Sequence, residues 1–196
     1  MNKKVKSYLI MIIGGMVIGA GVALVVYGNL GGDAMTTFQQ GLSITLGIEL
    51  PVAQIIANAL FVVILFLLAR EKVNIDTVLC PLFITIGCKL AIMVLPEVNN
   101  IVLRYVYMVI GIIVVSAGIG IGAQTQSGSN PYDGTVLAVS EKINKPFSLV
   151  RPVMDAGLLL IGILLKGSWG VGTIAAMFAT GYIAQIFIKL FKKIFK

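Results

Sequence analysis

The sequence predicts an all-α integral membrane protein. Six transmembrane helices are expected, arranged as two inverted three-helix repeats, each with a Gly-rich break and a short re-entrant or interfacial helix. Three observations carry this expectation. The chain has 196 residues, 58% hydrophobic and 12% charged, at a mean hydropathy of +1.01, whereas a soluble domain is about 25% charged. Apolar runs of about 20 residues, long enough for a bilayer core of about 30 Å, recur along it. The second half also repeats the first at a fixed offset.

Such a composition leaves too little polar surface to cover a water-soluble sphere. It excludes a cytosolic enzyme, a nucleic-acid binder and a disordered tail. The net charge of +7, from 15 Lys+Arg and 8 Asp+Glu, is then read as cationic anchoring on the cytoplasmic side. With His 0, a histidine-based catalyst or metal site is excluded. Cys80 and Cys88, eight positions apart on one helix, would lie about 12 Å from each other. That is too far for a disulfide, and both are read as small packing residues.

The apolar runs fall at roughly 8–28, 52–69, 77–95, 103–123, 149–165 and 170–188. The first follows Lys3, Lys4 and Lys6 and continues without a small-x-small cleavage site, so it is expected to be a retained span. Two stretches differ from the rest. Residues 33–47 and 130–144 look helical, but about 14 residues reach only about 21 Å. Asp33 and Asn130 open them as N-caps and Pro131 suits a first turn. Gly-rich turns precede them, with Gly31 and Gly32 in one and Gly128 in the other. The expected helix breaks are therefore Gly31, Gly32, Gly128, Asn130 and Pro131. A re-entrant segment and a helix lying on the membrane surface both fit.

Six crossings with both termini cytoplasmic place 11 Lys and Arg inside, from Lys3 to Lys196, against two outside, Arg104 and Lys166. Eight crossings give 10 against three. The positive-inside rule narrowly prefers six.

A shift of 97 superimposes Gly14 on Gly111, Gly21 on Gly118, Gly31 on Gly128, Ser43 on Ser140 and Asp33 on Asn130. It also places Gln54 on Arg151 and Asn58 on Asp155. One residue fewer aligns Thr77 with Thr173 and Lys89 with Gln185. Polar coincidences inside apolar helices are informative because polar residues are scarce there. Residues 1–97 and 98–196 are thus expected to be two membrane repeats. Three crossings is an odd number, so the copies would be inverted, as in many transporter folds. Four crossings each would make them parallel.

The repeated Gly-rich turn, the Asn130-Pro131-Tyr132-Asp133-Gly134 segment and the compact basic layout resemble the YczE/YyaS/YitT-type bacterial integral membrane proteins. The resemblance covers nearly the whole chain. It implies a multi-pass protein of the bacterial plasma membrane and assigns no activity. The first half departs from the pattern, with Ala34, Met35 and Thr36 where the second has Pro131, Tyr132 and Asp133.

Ionisable groups within spans are costly, by about 2.5–3.5 kcal/mol at a helix centre. Six residues are candidates for a solute or ion pathway: Gln54, Asn58, Lys89, Asp133, Arg151 and Asp155. Arg151 and Asp155, four apart, share a helix face, and Gln54 and Asn58 occupy the corresponding face in the first half. A cavity between the repeats, with Lys89 near its wall, is one reading. Interhelical glue, with Lys89 snorkelling to the interface, is the other. Asp33 is read as a cap. Gly15-x-x-x-Gly19 and Gly118-x-x-x-Gly122 read as close-packing positions, and Tyr105 and Trp169 as interfacial anchors.

No nucleophile–base pair, nucleotide loop or metal cluster emerges. The expectation is therefore not an enzyme and no cofactor, with the lipid bilayer and an unidentified small solute or ion as partners and a homo-oligomer possible. A small transporter or channel with its pathway at the repeat interface leads. The alternatives are a non-transporting accessory or signalling protein whose polar residues are structural, and a substrate-capturing subunit of an energy-coupling transporter.

Overall fold

The computed structural model describes residues 3–96, 100–125 and 130–194. Among these it contains eight α-helices: α1 (Lys3–Gly28), α2 (Ala34–Leu46), α3 (Leu50–Leu68), α4 (Ile75–Val94), α5 (Ile101–Gly122), α6 (Pro131–Lys142), α7 (Phe147–Leu164) and α8 (Val171–Ile194). A 3-10 turn, Arg70–Lys72, joins α3 to α4. No strand occurs among the described residues.

Among the described residues, five helices (α1, α4, α5, α7 and α8) are long and apolar enough to cross a membrane. The α3 helix is of similar length, 19 residues against 18 in α7, and its described apolar stretch is Val52–Leu68. It stops at Ala69, whose non-helical backbone (φ −155°, ψ 74°) leads into the 3-10 turn.

The short helices begin and end through local chemistry. The α1 helix stops at Gly28, where Asn29 (φ 49°) and Gly31 (φ 108°) leave right-handed helical space. Glycine is suited to the second of these because a side chain is strained there. Asp33 then caps α2, accepting the Thr36 N–H at 2.8 Å. Asn130 caps α6 in the same way, accepting the Asp133 N–H at 2.8 Å, with Pro131 following it. Gly128 lies outside the described residues. Both helices end alike: the backbone N–H groups of Ile48 and Lys145 donate to the Ser43 and Ser140 carbonyls at 3.1 and 3.0 Å. The two serine hydroxyls donate to the Ile48 and Lys145 carbonyls. Gly47 (φ 65°) and Asn144 (φ 51°) supply the left-handed residue in each. Farther along, the Asn74 and Gly170 N–H groups donate to the Thr77 and Thr173 hydroxyls at 3.2 and 3.1 Å.

Glycine faces let the longest helices meet. Gly14 lies against Gly118 and Gly122, Gly21 against Gly111 and Val115, and Gly28 against Arg104 and Met108. The start of α1 therefore meets the end of α5, and the pair is antiparallel. The opposite face of α1 carries Gly15 against Cys80 and Phe83, and Gly19 against Ile84 and Cys88. Ser7 donates to Asp76 at 3.0 Å near the start of both helices, so α1 and α4 run parallel. These contacts account for Gly15, Gly19, Gly118 and Gly122 as packing positions.

The remaining pairs are α5 on α8, α2 on α7, α3 on α6 and α2 on α3, with α6 on α7. Exchanging the first four helices for the last four maps most of these onto one another. The exception is that α7 lies along α8, whereas α3 barely touches α4. The main core, with Ile18, Phe38, Phe61, Ile119, Tyr132 and Phe147, fills the space among α1, α2, α3, α5, α6 and α7.

Candidate functional site

The α7 helix buries the charged pair Arg151 and Asp155, each 4% exposed. Four residues apart, they project from one face, and Arg151 Nε donates to the Asp155 carboxylate at 3.2 and 3.3 Å. The first turn of α6 brings the rest. Arg151 Nη1 pairs with Asp133, which is itself held by Asn130 Nδ2 at 2.7 Å. The Tyr132 hydroxyl donates to Asp155. The guanidinium carbon sits 4.9 Å from the Tyr132 ring centroid and 5.8 Å from that of Phe147, within cation–π range. Phe61 of α3 meets Tyr132 edge-on at 4.9 Å. The cap of α6 thus fixes Asp133 and Tyr132, and these two fix Arg151 and Asp155.

One face of this cluster opens on a cavity. Its polar wall is Asp33, Thr36, Arg151, Asp155 and Thr180; its apolar wall includes Val22, Val25, Ile112, Val115 and Ala176. Ile112 stands 11 residues from the start of α5 and 10 from its end, about 15–17 Å along the axis either way. The cavity therefore lies beside the middle of α5, among α1, α2, α5, α7 and α8. Asp33 is both the cap of α2 and part of this wall. Its capping signal was plain in the sequence, but its place beside Arg151 depends on tertiary packing.

Of the sequence-predicted residues, Asp133, Arg151 and Asp155 come together. Gln54, Asn58 and Lys89 do not, which corrects the expectation of a shared wall. Gln54 and Lys89 are exposed, and Asn58 Nδ2 donates to the Gln54 carbonyl of its own helix at 2.9 Å. The physical reason is the separation of α3 from α4. Their counterparts are packed: Gly181 lies against Arg151 and Pro152, and Gln185 Oε1 accepts the Ser148 N–H at 3.4 Å. Tyr132, Asn130 and Asp33 are the additions. Tyr132 lies 23 residues before Asp155, and nothing in the spacing joins them. Among the described residues no group of three or more metal-ligating side chains could hold a metal ion.

The model of a family of unknown function (DUF6198) matches residues 5–189. The chain belongs to this family. The uncharacterized protein YyaS of Bacillus subtilis is 22% identical over 192 residues, covering 96% of each chain. An uncharacterized protein of Haemophilus influenzae is 21% identical over 189 residues, covering 96% of this chain and 86% of its own length. The resemblance to the YyaS type therefore stands, and these relatives are bacterial. No solved structure matches. The chain is a multi-pass helical membrane protein of this family.

Proposed function

We propose that the protein is a small transporter or channel of the bacterial plasma membrane whose solute site is the cavity beside Arg151, Asp155 and Asp33. The observation that carries this reading is the cavity itself, beside the middle of α5, with three ionisable side chains in its wall. Small-molecule sites are mostly apolar with a few placed polar groups. Ionisable residues inside membrane segments mark solute and ion paths.

The proposed architecture is six crossings in two inverted repeats, with both termini cytoplasmic. Two helix directions support it. If α2 and α6 do not cross, α1 and α4 point the same way and α1 and α5 oppose each other, in agreement with their glycine contacts. Eight crossings would require the reverse. The matching hydrogen bonds at Ser43 and Ser140, and at Thr77 and Thr173, support a common origin of the halves. Inverted repeats with broken helices at mid-depth are a transporter architecture.

One observation favours a second reading, a non-transporting membrane partner: Asp133 and Asp155 both already pair with Arg151, so the cluster also fits helix glue. Purified protein in liposomes, tested with a solute panel, separates the two. Uptake that is lost in Asp155→Asn while the variant stays folded supports transport. No uptake of any solute supports the second reading.

A further inference from the structure

We infer that the ligand of this cavity is a small organic ammonium ion that also carries an oxygen acceptor, an inference that rests on the cavity being a solute site. The charge balance of the wall gives the first half. Asp33 and Asp155 line the cavity with Arg151, the only cation in the wall among the described residues, and behind the wall Arg151 also pairs with Asp133. Nη1 and Nε of Arg151 are taken by Asp133 and Asp155. Asp33 makes no ion pair among the described residues, so the carboxylates outnumber the one guanidinium: the Asp33 Oδ1 accepts the Thr36 N–H, and the second oxygen makes no hydrogen bond among the described residues. Such an excess of carboxylates beside the middle of α5 calls for a cation or a proton.

The remaining wall selects the kind of cation. A bare divalent ion takes a shell of six or more oxygens, and most of this wall is aliphatic, with Val22, Val25, Ile112 and Val115 among its members. An ammonium bearing alkyl groups fits both parts. The second half comes from Arg151, which is 4% exposed. Its Nη2 makes no hydrogen bond among the described residues, yet no fully buried side-chain nitrogen or oxygen lacks a partner. Nη2 is therefore offered to the cavity that Arg151 lines, where a ligand oxygen can accept from it.

The test uses the full chain in lipid nanodiscs and titration calorimetry with choline, its uncharged carbon isostere 3,3-dimethylbutan-1-ol, and acetate. Choline is expected to bind at least tenfold more tightly than either. Asp33→Asn retains an equally good N-cap, so its unfolding midpoint should match that of the parent while choline affinity falls at least tenfold. Equal binding of the isostere, tighter binding of acetate, or unchanged choline affinity in Asp33→Asn would overturn the assignment. If choline fails to bind while liposomes take up a solute of another class, the ligand assignment is wrong and the transport reading survives. If no solute is bound or carried, both are wrong.

Discussion

Replacing Arg151 tests the whole cluster, because this one side chain holds two helices and two carboxylates. Arg151, Asp133 and Asp155 are 4%, 1% and 4% exposed. Arg151→Gln removes the guanidinium that neutralises both carboxylates. Asp133 would keep Asn130 Nδ2 at 2.7 Å, and Asp155 would keep the Tyr132 hydroxyl. Stranding a buried charge costs about 3–5 kcal/mol, and that is the expected loss for Arg151→Gln. Asp155→Asn should cost less, about 1–3 kcal/mol, because the amide oxygen can still accept from Tyr132 and Arg151 keeps Asp133. The triple variant Asp133→Asn, Arg151→Gln, Asp155→Asn leaves a neutral hydrogen-bonded set. It should recover most of the loss seen in Arg151→Gln alone. Equilibrium unfolding in mixed dodecylmaltoside and SDS micelles, followed by circular dichroism, measures all three. The reasoning fails if Arg151→Gln stays within about 0.5 kcal/mol of the parent, the range of an ordinary surface change. It fails equally if the triple variant is as unstable as that single one.

Three further outcomes follow from packing and topology. Gly19→Ala places a methyl group on the Ile84 carbonyl and 2.6 Å from the Cys88 nitrogen, so it should cost about 1–3 kcal/mol. Gly157→Ala meets nothing within 4 Å and should be neutral or stabilise by up to about 1 kcal/mol; the same unfolding assay compares them. Ser43→Ala and Ser140→Ala each remove one hydroxyl bond at a helix end. Each should lose about 0.5–1.5 kcal/mol, by similar amounts, and a large inequality would deny that the two ends are equivalent. With Cys80 and Cys88 replaced, Ile48→Cys should react with an impermeant reagent from outside and Asn74→Cys should be protected. The opposite labelling would favour eight crossings.

How much of this was legible in the sequence depended on the range of the forces involved. The breaks before α2 and α6 were legible because a cap is local: a side chain satisfies an N–H three residues on, and Asp33 and Asn130 are of the type that does so. The Arg151–Asp155 pair was legible for the same reason, since helix geometry alone puts positions four apart on one face. Tyr132 was not, because its hydroxyl meets Asp155 only after α6 packs on α7. The offset of 97 located positions that make the same local bonds, but it misled about Gln54 and Asn58. Equivalence along the chain does not carry over to packing across it. One glycine marks the difference. Gly181 lets α8 approach α7 so closely that an added Cβ would stand 2.9 Å from Pro152 Cδ and 3.1 Å from Arg151 Cβ. At the corresponding place in the first half, 96 residues earlier, stands Thr85. Its hydroxyl turns back to the Pro81 carbonyl at 2.9 Å, and the residue is exposed. The α3 helix barely touches α4, and Gln54 and Lys89 are exposed. The second half alone carries an ion pair at this position, Arg151 and Asp155 in place of Gln54 and Asn58, and there alone a glycine brings the neighbouring helix onto the helix that carries the pair.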